Sequence, residues 1–155
     1  MKKPIWIIAV LSILLNITLV YVFVFKGDVA YVNDNRIELN MSNANRDFVL
    51  EEMRSFLESV QQINEGVTYG DASKVIQAGE TSGGAVIEQT PKGLIKSLPI
   101  GFKQLGFSTH DIFDDISESA KEHFNPKETQ QKLNSLLNNC VACHQSYKIV
   151  TNSKE

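Results

Sequence analysis

The chain has 155 residues, 43% of them hydrophobic and 21% charged, with 15 basic against 18 acidic side chains and a formal net charge of −3. That length fits one domain plus a short appendage. The apolar content excludes a disordered chain, and without a basic excess nucleic acid is excluded as a partner class.

Residues 1–26 stand apart. Met1-Lys2-Lys3 precedes PIWIIAVLSILLNITLVYVFVF, residues 4–25, which contain no charge. As a helix these 22 residues would rise about 33 Å, enough for the hydrocarbon layer of a bilayer. No small-x-small cleavage site precedes Lys26-Gly27, which favours an uncleaved anchor over a cleaved signal. Lys2 and Lys3 then predict a single-pass protein of a bacterial inner membrane, with residues 27–155 in the periplasm; Lys26 opposes that bias slightly. Setting Lys2, Lys3 and Lys26 aside leaves 12 basic and 18 acidic residues, a net −6. Such a charge suits a solvated head and a basic redox partner.

Residues 27–43 read as a linker with a short extended piece, and residues 44–155 as the folded domain. A first helix is expected from Asn45 to Asn64, where Val49, Leu50, Met53, Phe56, Leu57, Val60 and Ile63 recur at three and four. Asn43 or Asn45 would cap its start and Gly66 follow its end. A second helix opens at Asp71 and keeps phase through Val75, Ile76, Gly79 and Val86. A break near Ser82-Gly83-Gly84 is open, since each interior glycine costs about 1 kcal/mol against alanine. Thr90-Pro91-Lys92-Gly93 is a loop. The third helix spans Ser97 or Pro99 to Phe124, with Gly106 and a Ser108-x-x-Asp111 capping box as a point of restart. The fourth starts with Asn125 as cap, Pro126 at the first position and Glu128 three after the cap. Its stripe is Leu133, Leu136, Leu137, Cys140, Cys143, His144 and Tyr147. Four amphipathic helices with short connections predict an all-α, antiparallel four-helix bundle.

The only two cysteines stand in Cys140-Val141-Ala142-Cys143-His144, the C-x-x-C-H pattern of c-type haem attachment. Two thiols one helical turn apart each reach one vinyl group of a porphyrin, and the following imidazole lies under the ring to ligate iron. A thioredoxin-like pair would need a strand–helix setting. Zinc would need four ligands, and His110 and His123, read as solvent-exposed, come with no second cysteine pair. A disulfide at this spacing fits a continuous helix poorly. Only 11 residues follow His144 and none is methionine, so any sixth ligand or distal cover must come from upstream.

Here the chain resembles the cytochrome c-prime family. CVACHQSYK, with Tyr147 and Lys148, matches the family's C-terminal C-x-x-C-H-x-x-[Tyr/Phe]-[Arg/Lys], and Arg46, Leu50 and Met53 match the spacing of its first helix. Phe102-Lys103-Gln104 and the fourth-helix cap are weaker similarities. The resemblance covers roughly residues 44–150; Lys148 stands where the family more often has Arg. It implies one haem c bound through Cys140 and Cys143, His144 as the proximal ligand, Leu50 on the distal face and Arg46 near a propionate. Taken alone, Leu50 is a core leucine, Arg46 and Lys148 are solvated charges, and Met53 is core filler rather than a ligand.

Two functions remain open on this scaffold: a tethered electron carrier, or a five-coordinate haem that binds nitric oxide or carbon monoxide. A haem-free thiol protein is the third reading. No paired carboxylates, Ser–His arrangement or phosphate loop points to an enzyme. The partners expected are a membrane, redox proteins, small gas ligands and, as a homodimer, a second copy of the chain.

Overall fold

The computed structural model describes residues 3–21 and 34–151, and it is mostly helical. It divides into two units, Met1–Asn35 and Arg36–Glu155.

In the first unit, α1 (Lys3–Val20) is an 18-residue helix. Its polar side chains turn back on their own backbone: Asn16 Nδ2 donates to Ser12 O at 2.8 Å and Thr18 Oγ1 to Leu14 O at 2.8 Å. The expected membrane anchor over residues 1–26 is corrected here. Among the described residues no helix is long and apolar enough to cross a membrane. Eighteen residues rise only about 27 Å, against a hydrocarbon layer of about 30 Å, and Lys3 occupies the first of them. Residues 22–26 and 27–33 of the expected anchor and linker lie outside the described residues. The inner-membrane and periplasmic placement rested on that span and falls with it.

The second unit begins with a strand, β1 (Ile37–Met41), in what the sequence reads as linker. Next comes α2 (Asn43–Tyr69), longer at both ends than expected. Ser42, rather than Asn43 or Asn45, caps it by accepting from Asn45 N–H at 3.2 Å. It passes through Gly66 and stops at Gly70, whose φ of 71° is left-handed and open to glycine at little cost. Asp71 then caps α3 (Ala72–Ser82), accepting from Lys74 N–H at 3.0 Å. The helix does break at Ser82-Gly83-Gly84. A 3₁₀ turn follows over Gly84–Gln89, held where Gly84 N–H donates to Asp114 Oδ2 at 2.8 Å.

A one-turn helix, α4 (Leu94–Ser97), leads into α5 (Ile100–His123), which runs through Gly106 without restarting. Ser108 caps nothing, because the helix is continuous through it; its hydroxyl instead accepts from Asn139 Nδ2 at 3.1 Å on the neighbouring helix. That neighbour is α6 (Pro126–Ser146), whose cap is as expected: Asn125 Oδ1 accepts from Lys127 N–H at 3.0 Å and Glu128 N–H at 3.3 Å. α6 ends one residue before Tyr147. The run Tyr147-Lys148-Ile149-Val150-Thr151 is aromatic and β-branched, and it forms a strand, β2 (Tyr147–Thr151). β2 pairs in parallel with β1, Ile37 opposite Tyr147 and Glu38 opposite Lys148.

Helices α2 and α3, α3 and α5, α5 and α6, and α6 and α2 pack on one another. Between them lies a core of Ile63, Val75, Ala78, Phe113, Ile116, Ala120, Leu133 and Leu136. A second cluster, Leu39, Met41, Val49 and Leu94, is built at the strand end with Phe48, Met53, Phe102, Tyr147 and Ile149 against it. Leu57 and Leu137, expected on inner stripes, are exposed at 69% and 39%. Each sits at the edge of its stripe, where the 3.6-residue period rotates it toward water.

Candidate functional site

The end of α6 and the start of α2 face each other across a cavity of about 370 Å³. Arg46, Leu50 and Met53 line one side, projecting from successive turns of α2. Cys143, His144 and Lys148 line the other, and Arg36, Leu39, Phe102, Tyr147 and Ile149 complete the wall. Six of the seven residues singled out by motif and spacing therefore converge in space. The seventh, Cys140, is half-buried one turn earlier, packed against the main core rather than on the cavity wall.

The motif does not share the buried stripe of α6 as expected. Leu133 and Leu136 are buried, both cysteines are half-buried and His144 is exposed. Cys140 still touches the main core, whereas Cys143 and His144, in the last turn, border the cavity. Both cysteines are free thiols. Burial pushes the Cys140 thiol up and, with the neighbouring Cys140, the Cys143 thiol up as well, so both stay protonated at neutral pH.

Charge gathers at the cavity rim. Arg46 pairs with Asp47 at 2.9 Å, and Lys148 pairs with Glu38, its cross-strand partner, at 3.1 Å. Arg36 Nη1 donates to His144 O at 3.1 Å and makes a longer contact of 3.5 Å to Tyr147 O. Beneath the rim the wall is apolar, with Tyr147 edge-on to Phe102 at 5.5 Å between centroids. Pockets of this size with apolar walls and a few convergent polar groups are the usual form of small-molecule sites.

Arg36, Leu39 and Ile149 escaped the sequence reading. They reach the cavity only because β1 and β2, more than a hundred residues apart, pair side by side. No local pattern announces that pairing.

His110 also departs from expectation, being 4% exposed rather than on the surface. Its Nδ1–H donates to Ser82 O at 2.8 Å, its Nε2 lies 3.4 Å from Glu52 Oε1, and its ring meets Phe56 edge-on at 5.0 Å. His123 is exposed, as expected. Among the described residues no group of three or more His, Cys, Asp or Glu side chains converges as a metal site.

Compared with known proteins, the chain matches no family model, no curated protein and no solved structure.

Proposed function

We propose that the second unit is an antiparallel four-helix bundle of the cytochrome c-prime kind that carries one haem c and transfers electrons. The observation that carries this reading is the cavity, where Arg46, Leu50 and Met53 from α2 meet Cys143 and His144 from the end of α6 and Lys148 from β2. The packing of α2 on α3, α3 on α5, α5 on α6 and α6 on α2 supports the bundle.

The residues present fit the group. Leu39, Leu50, Met53, Phe102 and Ile149 offer a porphyrin apolar walls, and Arg36, Arg46 and Lys148 offer its carboxylates cations at the rim. Cys140 and Cys143 are thiols rather than a disulfide, as addition to two vinyl groups requires. His144 stands on the wall with its imidazole available as an axial ligand. When bound, haem supplies a one-electron iron couple. The chain's part is to hold it covalently, keep water from its faces and set its potential through ligand, burial and rim charge.

Mass analysis of the chain matured in a cytochrome-competent host tests this reading. The expected mass is the polypeptide plus one haem, retained after denaturation; the double variant Cys140→Ser/Cys143→Ser loses that retention. A bare polypeptide mass in the unsubstituted protein sinks the proposal.

Leu50 on the wall supports a second reading, a five-coordinate site for nitric oxide or carbon monoxide. Met53 on the same wall supports electron transfer, since a thioether there could serve as a sixth ligand. A ferrous absorption spectrum with and without carbon monoxide separates them. A spectrum unchanged by the gas, becoming responsive in Met53→Ala, assigns the sixth position to Met53.

A further inference from the structure

We infer that Arg36 is a positioning residue for His144: it clamps the main chain of the motif from a segment 108 residues away in the chain and adds a fixed cation to the cavity wall. The inference rests on the haem reading above and extends it to a residue that lies outside the expected domain.

The argument starts from the end of α6. The last carbonyls of a helix have no partner within it and carry partial negative charge. At α6 those carbonyls belong to the motif itself. Tyr147 N–H donates to Cys143 O, and the His144 carbonyl is taken by Arg36 Nη1 at 3.1 Å. The Tyr147 carbonyl receives the same nitrogen at 3.5 Å. A guanidinium suits this place because its charge is permanent and its planar donors are rigidly disposed.

Arg36 is itself held. The next residue, Ile37, is paired with Tyr147 in the parallel ladder, and Leu39 and Met41 of that strand are buried in the second core at 4% and 7% exposure. The strand therefore anchors the backbone that follows Arg36 directly beside Tyr147, three residues after His144. Arg36 and His144 also line the same cavity. One side chain thus restrains the backbone of the iron ligand and contributes to the field at the iron. A cation there disfavours the more positive ferric state and raises the reduction potential.

The test compares Arg36→Gln and Arg36→Lys with the unsubstituted haem-loaded protein. Its readouts are the reduction potential, the ferrous iron–imidazole Raman band and amide exchange at Ile149, Val150 and Thr151. Mass analysis of the unsubstituted protein comes first, so a failure of the haem reading is seen before any variant is compared. With haem bound, Arg36→Gln lowers the potential, shifts or broadens the Raman band and speeds exchange in β2. Arg36→Lys restores most of the potential, through its charge, but not the band. If both variants lose thermal stability while potential and Raman band stay as in the parent, Arg36 is a strand staple and the inference is overturned. Unchanged exchange in β2 with either variant overturns the clamp. Should Arg36→Gln fail to fold, Arg36→Lys alone decides: an unshifted Raman band overturns the inference.

Discussion

At His110 burial and charge act against each other. Burial pushes the imidazole's pKa down, yet the Glu52 carboxylate and the carbonyls of Ser82 and Gly83 outweigh it, so the net shift is upward. A folded-state pKa above the unfolded value of about 6.5 means the folded state binds the proton more tightly. The resulting stabilisation is complete below the unfolded pKa and is lost as pH rises through the folded one. Thermal melts should therefore show a higher midpoint near pH 5.5 than near pH 8.5. Glu52→Gln should flatten that difference while leaving the Ser82 bond in place. A pH slope equal to the parent's in Glu52→Gln would show that another group supplies it. Glu52 sits between Leu50 and Met53 on α2, so the same pair restrains the turn that lines the cavity.

Elements here are joined by close approaches that small residues permit. Gly79 of α3 lies against α5, where an added Cβ would come within 2.7 Å of both Phe113 O and Ser117 Cβ. The first is backbone and cannot yield. Alanine is the better helix former by about 1 kcal/mol, but overpacking at such a contact costs about 1–3 kcal/mol. Gly79→Ala is therefore expected to destabilise, as read by urea denaturation, and a stabilised variant would mean that α3 slides freely on α5. Propensity alone would have ranked this substitution the other way. The glycines that make the second helix look weak in sequence are what let it pack. Gly83 similarly leaves room for the Asp114 carboxylate, which takes the Gly84 N–H where α3 stops.

Over the whole second unit, stability follows burial rather than hydrophobicity of sequence. Phe113 is fully buried between α2 and α3, its ring 5.4 Å from that of Phe56, whereas Leu57 is 69% exposed. Phe113→Ala is expected to remove about 3–5 kcal/mol, through lost transfer free energy and an unfilled void. Leu57→Ala should fall within about 0.5 kcal/mol of the parent. Equal losses in chemical denaturation would put the phase of α2 in error.

Chain-local signals decided much of this. The cap at Asn125, the cap at Asp71, the break at Ser82-Gly83-Gly84 and the buried positions Val49, Ile63, Leu133 and Leu136 were legible because each depends on residues within one or two turns. The thiol and imidazole spacing of Cys140, Cys143 and His144 was equally legible, since a helix sets it. Other features belong to the tertiary structure. The pairing of Ile37–Met41 with Tyr147–Thr151 joins segments with no shared periodicity, and it brings Arg36 to the His144 carbonyl. The burial of His110 depends on Glu52 and Ser82, which lie 58 and 28 residues away. Ser108 reads as a cap, but α5 runs through it and its hydroxyl meets Asn139 of another helix. Local backbone hydrogen bonds and helical period are written in adjacent residues. Which distant groups satisfy a buried polar atom or close a cavity is settled only when the helices pack.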